Sequence, residues 1–304
     1  MPNWCANKIE LCGADAALTP LHALLSGEVL PAYDLATRQS IRLFLAGCGG
    51  LLRPVSRETY APCPALVQYG AGSDTAENRA FTEWLRLLKE GVALDALGCG
   101  QIAAMYQAAG LSGAQWAAFP EPAQALMGEL LLRHGYDWGN STLLPSAPAV
   151  FWAELETPPQ GRVMDLMLLT PPRLDVELNG FNGKVLSGVE SAYGYYNRVY
   201  GIKWPQGHDV DITREAGCLR VDFDTPWSPP SESVIARLAR EGGNVYHYYC
   251  ESGSDYCGMR VYEDDELACE MDGRLEYSDE EDEDGCRDVT GPDWLMGKVP
   301  HFGG

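Results

Sequence analysis

The chain has 304 residues, is 46% hydrophobic and carries a formal charge of −21 at pH 7, enough apolar content for one or two packed domains. No apolar run reaches the roughly 18 residues of a membrane span, and the first residues lack a basic and apolar leader pattern, so a cytoplasmic protein is expected. The charge opposes direct contact with nucleic acid or an anionic membrane, and no basic patch offsets it.

The ten cysteines (5, 12, 48, 63, 99, 218, 250, 257, 269 and 286) stand singly, without a C-x-x-C pair, and the five histidines are scattered. The expectation is reduced thiols that pack as small apolar side chains, with no metal and no cofactor.

In chain order, Ile9 and Leu11 alternate with Lys8 and Glu10, which predicts a half-buried strand over 7–12. A helix follows, with Thr19 as its cap and Pro20 at its first position, ahead of Leu21, Leu24 and Leu25. From 31 to about 150 helical spacing dominates, in segments 41–46, 76–89, 101–109 and 123–134. Ser73 or Asp74 can cap the second, and Gly110 and Gly135 stand where terminating glycines belong. Gly47-Cys48-Gly49-Gly50 lacks the Lys-Ser/Thr of a phosphate loop and is expected to turn the chain.

Strand texture returns over 162–169 and after Pro205. In Cys218–Asp224, Leu219, Val221 and Phe223 oppose Arg220, Asp222 and Asp224. Pro226 ends that strand, and Ser231 caps a helix through Val234, Ile235, Leu238 and Ala239. Strands over 245–251 and 256–262 flank a Ser-Gly-Ser-Asp turn. The order predicts an α+β fold, a ferredoxin-like split βαβ sheet interrupted by a mainly helical insertion. The expected division is 1–30 plus 160–275 for the sheet domain, 31–159 for the insertion, and an acidic C-terminal tail over 276–304.

Four motifs, Met1–Asn7 (MPNWCAN), Leu169–Pro172 (LTPP), Tyr200–Trp204 (YGIKW) and Phe223–Pro230 (FDTPWSPP), together resemble the YubB-like proteins. The resemblance covers 1–30 and 160–275, about half the chain. It implies a ferredoxin-like domain and carriage by conjugative plasmids, prophages and related mobile elements, and it implies no reaction.

Trp227 has two readings: its ring covers the end of the sheet, or it forms a Trp-Pro platform for a partner peptide. His247, Tyr249 and Glu251, with Trp227, form a candidate pocket in which a His beside a carboxylate could act as general base, against the simpler reading of a packed sheet-face histidine. No nucleophile motif accompanies them, so no catalytic residue is assigned.

The strongest anomaly is the tract 263–288, which holds fourteen Asp or Glu against Arg274 and Arg287. It is expected to be a solvated loop or tail. Within it Glu280, Asp282, Asp284, Gly285 and Asp288 follow calcium-loop spacing, but position twelve is Gly291, without the bidentate Glu such a loop needs. Glu263, Asp264, Asp265, Asp279, Glu280, Glu281, Asp282, Glu283 and Asp284 can instead imitate a phosphate backbone and engage a basic protein groove.

The function expected is that of a mobile-element accessory protein, an anti-defence inhibitor binding a host nuclease or other nucleic-acid-processing complex. The alternatives are an enzyme acting on a nucleotide or other small molecule at the His247 face, and a structural protein that self-associates through the insertion.

Overall fold

The structure is a computed structural model that describes residues 3–139, 147–281 and 287–303. In chain order its main elements are β1 (Trp4–Cys12), α1 (Asp15–Leu25), α2 (Ala32–Cys48), α3 (Ala76–Glu90), α4 (Ala96–Ala108), α5 (Glu121–His134), α6 (Pro148–Glu154), α7 (Leu166–Leu169), α8 (Leu174–Asn179) and α9 (Ala192–Tyr200). Then come β2 (His208–Glu215), β3 (Cys218–Pro226), α10 (Glu232–Gly242), β4 (Asn244–Glu251), β5 (Tyr256–Glu263), β6 (Glu266–Gly273), β7 (Glu276–Glu281) and β8 (Arg287–Gly291). No described helix is long and apolar enough to cross a membrane.

The chain forms two compact units, one of residues 1–30, 161–170 and 196–304, the other of 31–160 and 171–195. Residues 171–195 thus lie outside the sheet unit, where the sequence placed them. The backbone explains it: Leu94 N donates to Pro172 O at 2.8 Å and Leu174 N to Val92 O at 2.9 Å, tying this stretch to the segment after α3.

The first unit is built on a six-stranded sheet of order β2-β3-β1-β4-β5-β6, with every neighbouring pair antiparallel. β3 and β4 run parallel to each other, joined by α10, with β1 between them, which is a split βαβ arrangement. Helices α1 and α10 pack on one face. There Ile9, Leu11, Leu219, Val221 and Phe223 meet Leu18, Leu21, Val234, Ile235 and Leu238, all buried. Each such aliphatic or aromatic side chain contributes about 1.5–3 kcal/mol on burial.

Three local expectations for this unit change. The first helix starts at Asp15, not Pro20, because Leu18, Leu21 and Leu25 form its buried stripe. The Thr19 hydroxyl donates back to Asp15 O at 2.7 Å, an intrahelical bond rather than a cap. Residues 162–169 form no strand: Met164 N donates to Leu25 O, and Asp165 accepts from Met167 N at 3.0 Å to start the single turn of α7. An apolar run without period does not distinguish these outcomes.

The third change is the largest. The acidic tract expected to be a solvated loop, with the tail after it, carries three strands, β6 on the sheet edge and the pair β7–β8. Beyond them the chain packs across the second face of the sheet, where Leu275 and Leu295 are buried with Ala6, Tyr248, Cys250 and Cys257, and Trp294 and Phe302 lie against them. Ser252 N donates to Phe302 O at 3.0 Å. The charges of residues 263–288 hid this apolar anchor.

The second unit is helical. Helices α2 to α5 appear where spacing predicted them, longer than their apolar cores. Thr75, rather than Ser73 or Asp74, caps α3, accepting from Asn78 N. Gly110 takes the left-handed conformation just past α4, whereas Gly135 stays right-handed and continues into a 3-10 turn that ends at left-handed Gly139. Gly47 and Cys48 belong to the last turn of α2, where a Cβ on Gly47 would collide with Phe81 and Leu66, so close helix packing explains that glycine.

Candidate functional site

The expected pocket around His247 is part of the sheet core. His247 and Glu251 are fully buried and Tyr249 nearly so. His247 and Tyr249 share one face, as alternation predicts, with rings 5.2 Å apart. Asn7 Nδ2 donates to Cys5 O and Thr225 Oγ1, each at 2.8 Å, leaving its Oδ1 3.1 Å from His247 Nε2. That network assigns the proton to Nε2. Burial, reinforced by nearby Arg260, pushes the imidazole pKa down to about 3. Glu251 is bound elsewhere, its two oxygens accepting from Gly253 N and Ser254 N at 2.6 and 2.8 Å, so it caps the turn after β4. His247 is enclosed in the core, and no carboxylate among the described residues orients it as a base.

Trp227 and Ser228 join three of the four motifs that carry the family resemblance, those at 1–7, 200–204 and 223–230. Its N–H donates to Asn3 O at 2.9 Å, and its carbonyl accepts from Tyr256 Oη at 2.8 Å. Ser228 Oγ donates to Gly201 O at 2.7 Å. Lys203 Nζ lies 3.8 Å from the ring centroids of both Trp204 and Trp227, a cation held between two indoles. The backbone of Trp227 is therefore structural, while its ring, 44% exposed, lies on the surface rather than over the sheet core.

The acidic residues divide by what they touch. Tyr249 Oη donates to Asp272 at 2.7 Å, and Arg260 Nε donates to Glu270 at 2.9 Å. Tyr246 donates to Glu263, and Arg287 pairs with Glu281 at 3.3 Å. Asp264, Asp265, Glu266, Asp279 and Glu280 are exposed and have no basic partner among the described residues. Asp282, Glu283 and Asp284 lie outside the described residues, as does Gly285. Glu280 and Asp288 sit on the paired strands β7 and β8, which replaces the helix–loop–helix frame of a calcium loop.

Asp264 and Asp265 form the two-residue turn between β5 and β6, both at positive φ (51° and 66°). Glu263 and Glu266 face each other across the same turn, so four consecutive carboxylates crowd one hairpin end. Like charges placed opposite each other destabilise a sheet. Asp265→Gly, which relieves both the left-handed backbone and one charge, should stabilise the unit by about 0.5–1 kcal/mol in urea unfolding.

A further cluster, which the sequence reading missed, lies in the helical unit. Arg42 on α2 is fully buried, and its guanidinium lies 3.9 Å from the ring centroid of Trp152. Nη1 donates to the Tyr106 hydroxyl and pairs with Glu156, and Nη2 donates to Ala114 O at 2.8 Å. Nε has no partner. Burial pushes Glu156 up, but Tyr106, Gly113 N and Arg42 together outweigh it and hold the carboxyl below its ordinary value. A cleft of about 270 Å³ opens here between Arg42, Glu156, Trp116, Trp152 and alanine side chains. The signal was present in Ser40–Ala46, where one arginine interrupts an otherwise apolar helix and therefore requires a buried partner.

Among the described residues no three His, Cys, Asp or Glu side chains converge on a metal-binding position.

Residues 30–204 match the family described as protein of unknown function (DUF1281), and residues 200–292 match the ferredoxin-like domain in Api92-like protein. The chain is 46% identical over 142 residues to the uncharacterised protein YubB of Escherichia coli K12, covering 46% of this chain and 98% of YubB. It is 37% identical over 138 residues to YubA of the same strain, covering 45% and 82% respectively. The crystal structure of api92 from Yersinia pseudotuberculosis superposes with a TM-score of 0.84 at 33% identity, over 91% of this chain and 99% of that one. From the match over more than half its length, the chain belongs to the DUF1281 family, and residues 200–292 of its sheet unit match the ferredoxin-like domain of Api92-like proteins.

Proposed function

We propose that the chain is a non-catalytic binding protein whose acidic hairpin edge docks on a basic, nucleic-acid-handling surface of a partner. One observation carries this reading: Asp264, Asp265, Glu266, Asp279 and Glu280 are held on or beside ordered strands, exposed and without basic partners. Four adjacent carboxylates at one turn cost stability that the fold does not require, and such local conflicts concentrate at functional sites. Carboxylates on a strand edge are spaced and fixed, so they can occupy phosphate positions in a basic groove with less ordering entropy than a mobile tail would lose. The same charges discourage edge-to-edge pairing of β6, which weighs against self-assembly through that strand.

The partner class is a host nuclease or other defence complex that holds nucleic acid in a basic channel. The protein acts there in the cytoplasm as an anti-defence accessory of a mobile element. The Trp204–Lys203–Trp227 surface supplies a second, apolar contact.

The test uses a tagged chain on nuclease-treated bacterial lysate at near-physiological salt, beside a variant carrying Asp264→Asn, Asp265→Asn, Glu266→Gln, Asp279→Asn and Glu280→Gln. The expected result is a defined nuclease or defence subunit retained by the wild type and lost by the variant, identified by mass spectrometry. Equal retention by both forms, or by neither, would sink the proposal.

A further inference from the structure

We propose that the cleft of the helical unit binds a purine base, presented as a nucleoside, between Trp116 and the Arg42–Glu156 pair. The site is built rather than incidental. Arg42 is fully buried at its wall, and the Nε–H donor of its guanidinium has no acceptor among the described residues. A buried donor without a partner is costly, and an incoming acceptor relieves it. Beside it, Glu156 Oε1 accepts from Tyr106, from Gly113 N at 2.8 Å and from Arg42, while its other oxygen has no protein donor among the described residues. The cleft wall thus carries an unpartnered donor, enclosed on Arg42, and an unpartnered acceptor on Glu156.

Charge selects the ligand class. Arg42 and Glu156 neutralise each other, so the cleft has no net attraction for an anion, and the chain's net charge of −21 repels a phosphate. A cationic amine is disfavoured too, because the Arg42 guanidinium already covers a face of Trp152. A neutral, planar ring with acceptor and donor atoms on its edge suits both groups. Trp116 is half-buried, 5.9 Å from Trp152 and tilted by 59°, and offers indole surface for stacking. A volume of about 270 Å³ admits a two-ring base, and Ala114, Ala117, Ala149 and Ala153 leave that space open.

The test is calorimetric titration of the full chain with guanosine, adenosine, their 5′-monophosphates and tetramethylammonium, at low and near-physiological salt. Two variants accompany it. Trp116→Ala removes the stacking surface, and Ala153→Leu fills the cleft from an exposed helical position, leaving the fold's core untouched; thermal melting confirms that each variant folds. The expected result is binding of a purine nucleoside, weakened about tenfold or more in each variant, as loss of base–aromatic stacking predicts. Neither monophosphate should bind more tightly than its nucleoside. Absence of nucleoside binding at millimolar concentration, undiminished binding in both folded variants, or binding of tetramethylammonium in preference to the nucleosides would overturn the proposal.

Discussion

Glu156→Ala is expected to lower the stability of the helical unit by about 3–5 kcal/mol, the usual cost of leaving one member of a buried ion pair without its partner. The two members are not equivalent. Arg42 is buried to 1% of its side-chain area, whereas Glu156 keeps 32% of its own. Without Glu156 the guanidinium has only the Tyr106 hydroxyl, Ala114 O and the Trp152 face, and no other carboxylate among the described residues pairs with it. Without Arg42 the carboxylate can turn to solvent and retains Tyr106 and Gly113 N. Arg42→Met, close in volume and still able to pack on Trp152, should therefore cost less than Glu156→Ala. Hydrogen exchange at the amides of α2 and α6 reads this ordering within the helical unit. An equal or reversed order would mean that packing, rather than charge compensation, dominates the cluster.

The pair also sets a pH dependence. Because folding holds the Glu156 carboxyl below its ordinary value, its stabilisation is complete above the unfolded pKa of about 4.3 and is lost as pH falls through the depressed folded value. Glu156→Gln keeps the side-chain shape and should remove that acid-limb contribution while lowering stability at neutral pH.

How much of this was legible in the sequence depended on whether local pattern or tertiary partner decided the outcome. Alternation in Cys218–Asp224 placed Leu219, Val221 and Phe223 correctly because a one-sided burial imposes period two on the chain itself. The α3 helix was readable for the same reason, its buried Phe81, Trp84, Leu85 and Leu88 repeating at helical spacing. Strand β6 was not. Leu267, Cys269 and Met271 do alternate with Glu266, Ala268, Glu270 and Asp272, but all eight residues are exposed, and only pairing with β5 makes them a strand. Charge density was read as mobility, when it marked an ordered edge. The His247 site failed in the opposite sense. Its residues do share a face, but that face is covered by α10, a fact carried by Val234, Ile235 and Leu238 on another element. The Arg42 cluster was hard to read because its five members lie on four separated segments, around 42, 106, 114 and 152–156, and only the lone charge in an apolar helix hinted at it.

His247→Gln should flatten the acid side of the stability profile of the sheet unit. Burial and Arg260 hold the imidazole neutral down to about pH 3, against an ordinary value of 6.5. The unfolded chain binds a proton near pH 6.5 that the folded chain refuses. The contribution of His247 is therefore fully present above about pH 6.5 and falls by about 1.4 kcal/mol for each pH unit below it. Asp222 and Asp224 act in the opposite direction, since burial raises both, offset at Asp224 by His301 with its Nε2 2.9 Å away, so acid favours their folded state. Relief of carboxylate repulsion in residues 263–288 works the same way as those two aspartates. Only the difference between wild type and variant isolates the histidine. Glutamine retains an N–H donor for Asn7 Oδ1 and cannot titrate, so the hydrogen bond is conserved while the proton linkage is removed. Urea unfolding between pH 7.5 and 5 should show the wild type losing stability relative to the variant as pH falls, by about 2 kcal/mol at pH 5. Parallel profiles would mean that His247 is protonated inside the fold, and hence that solvent or an acceptor reaches its Nδ1.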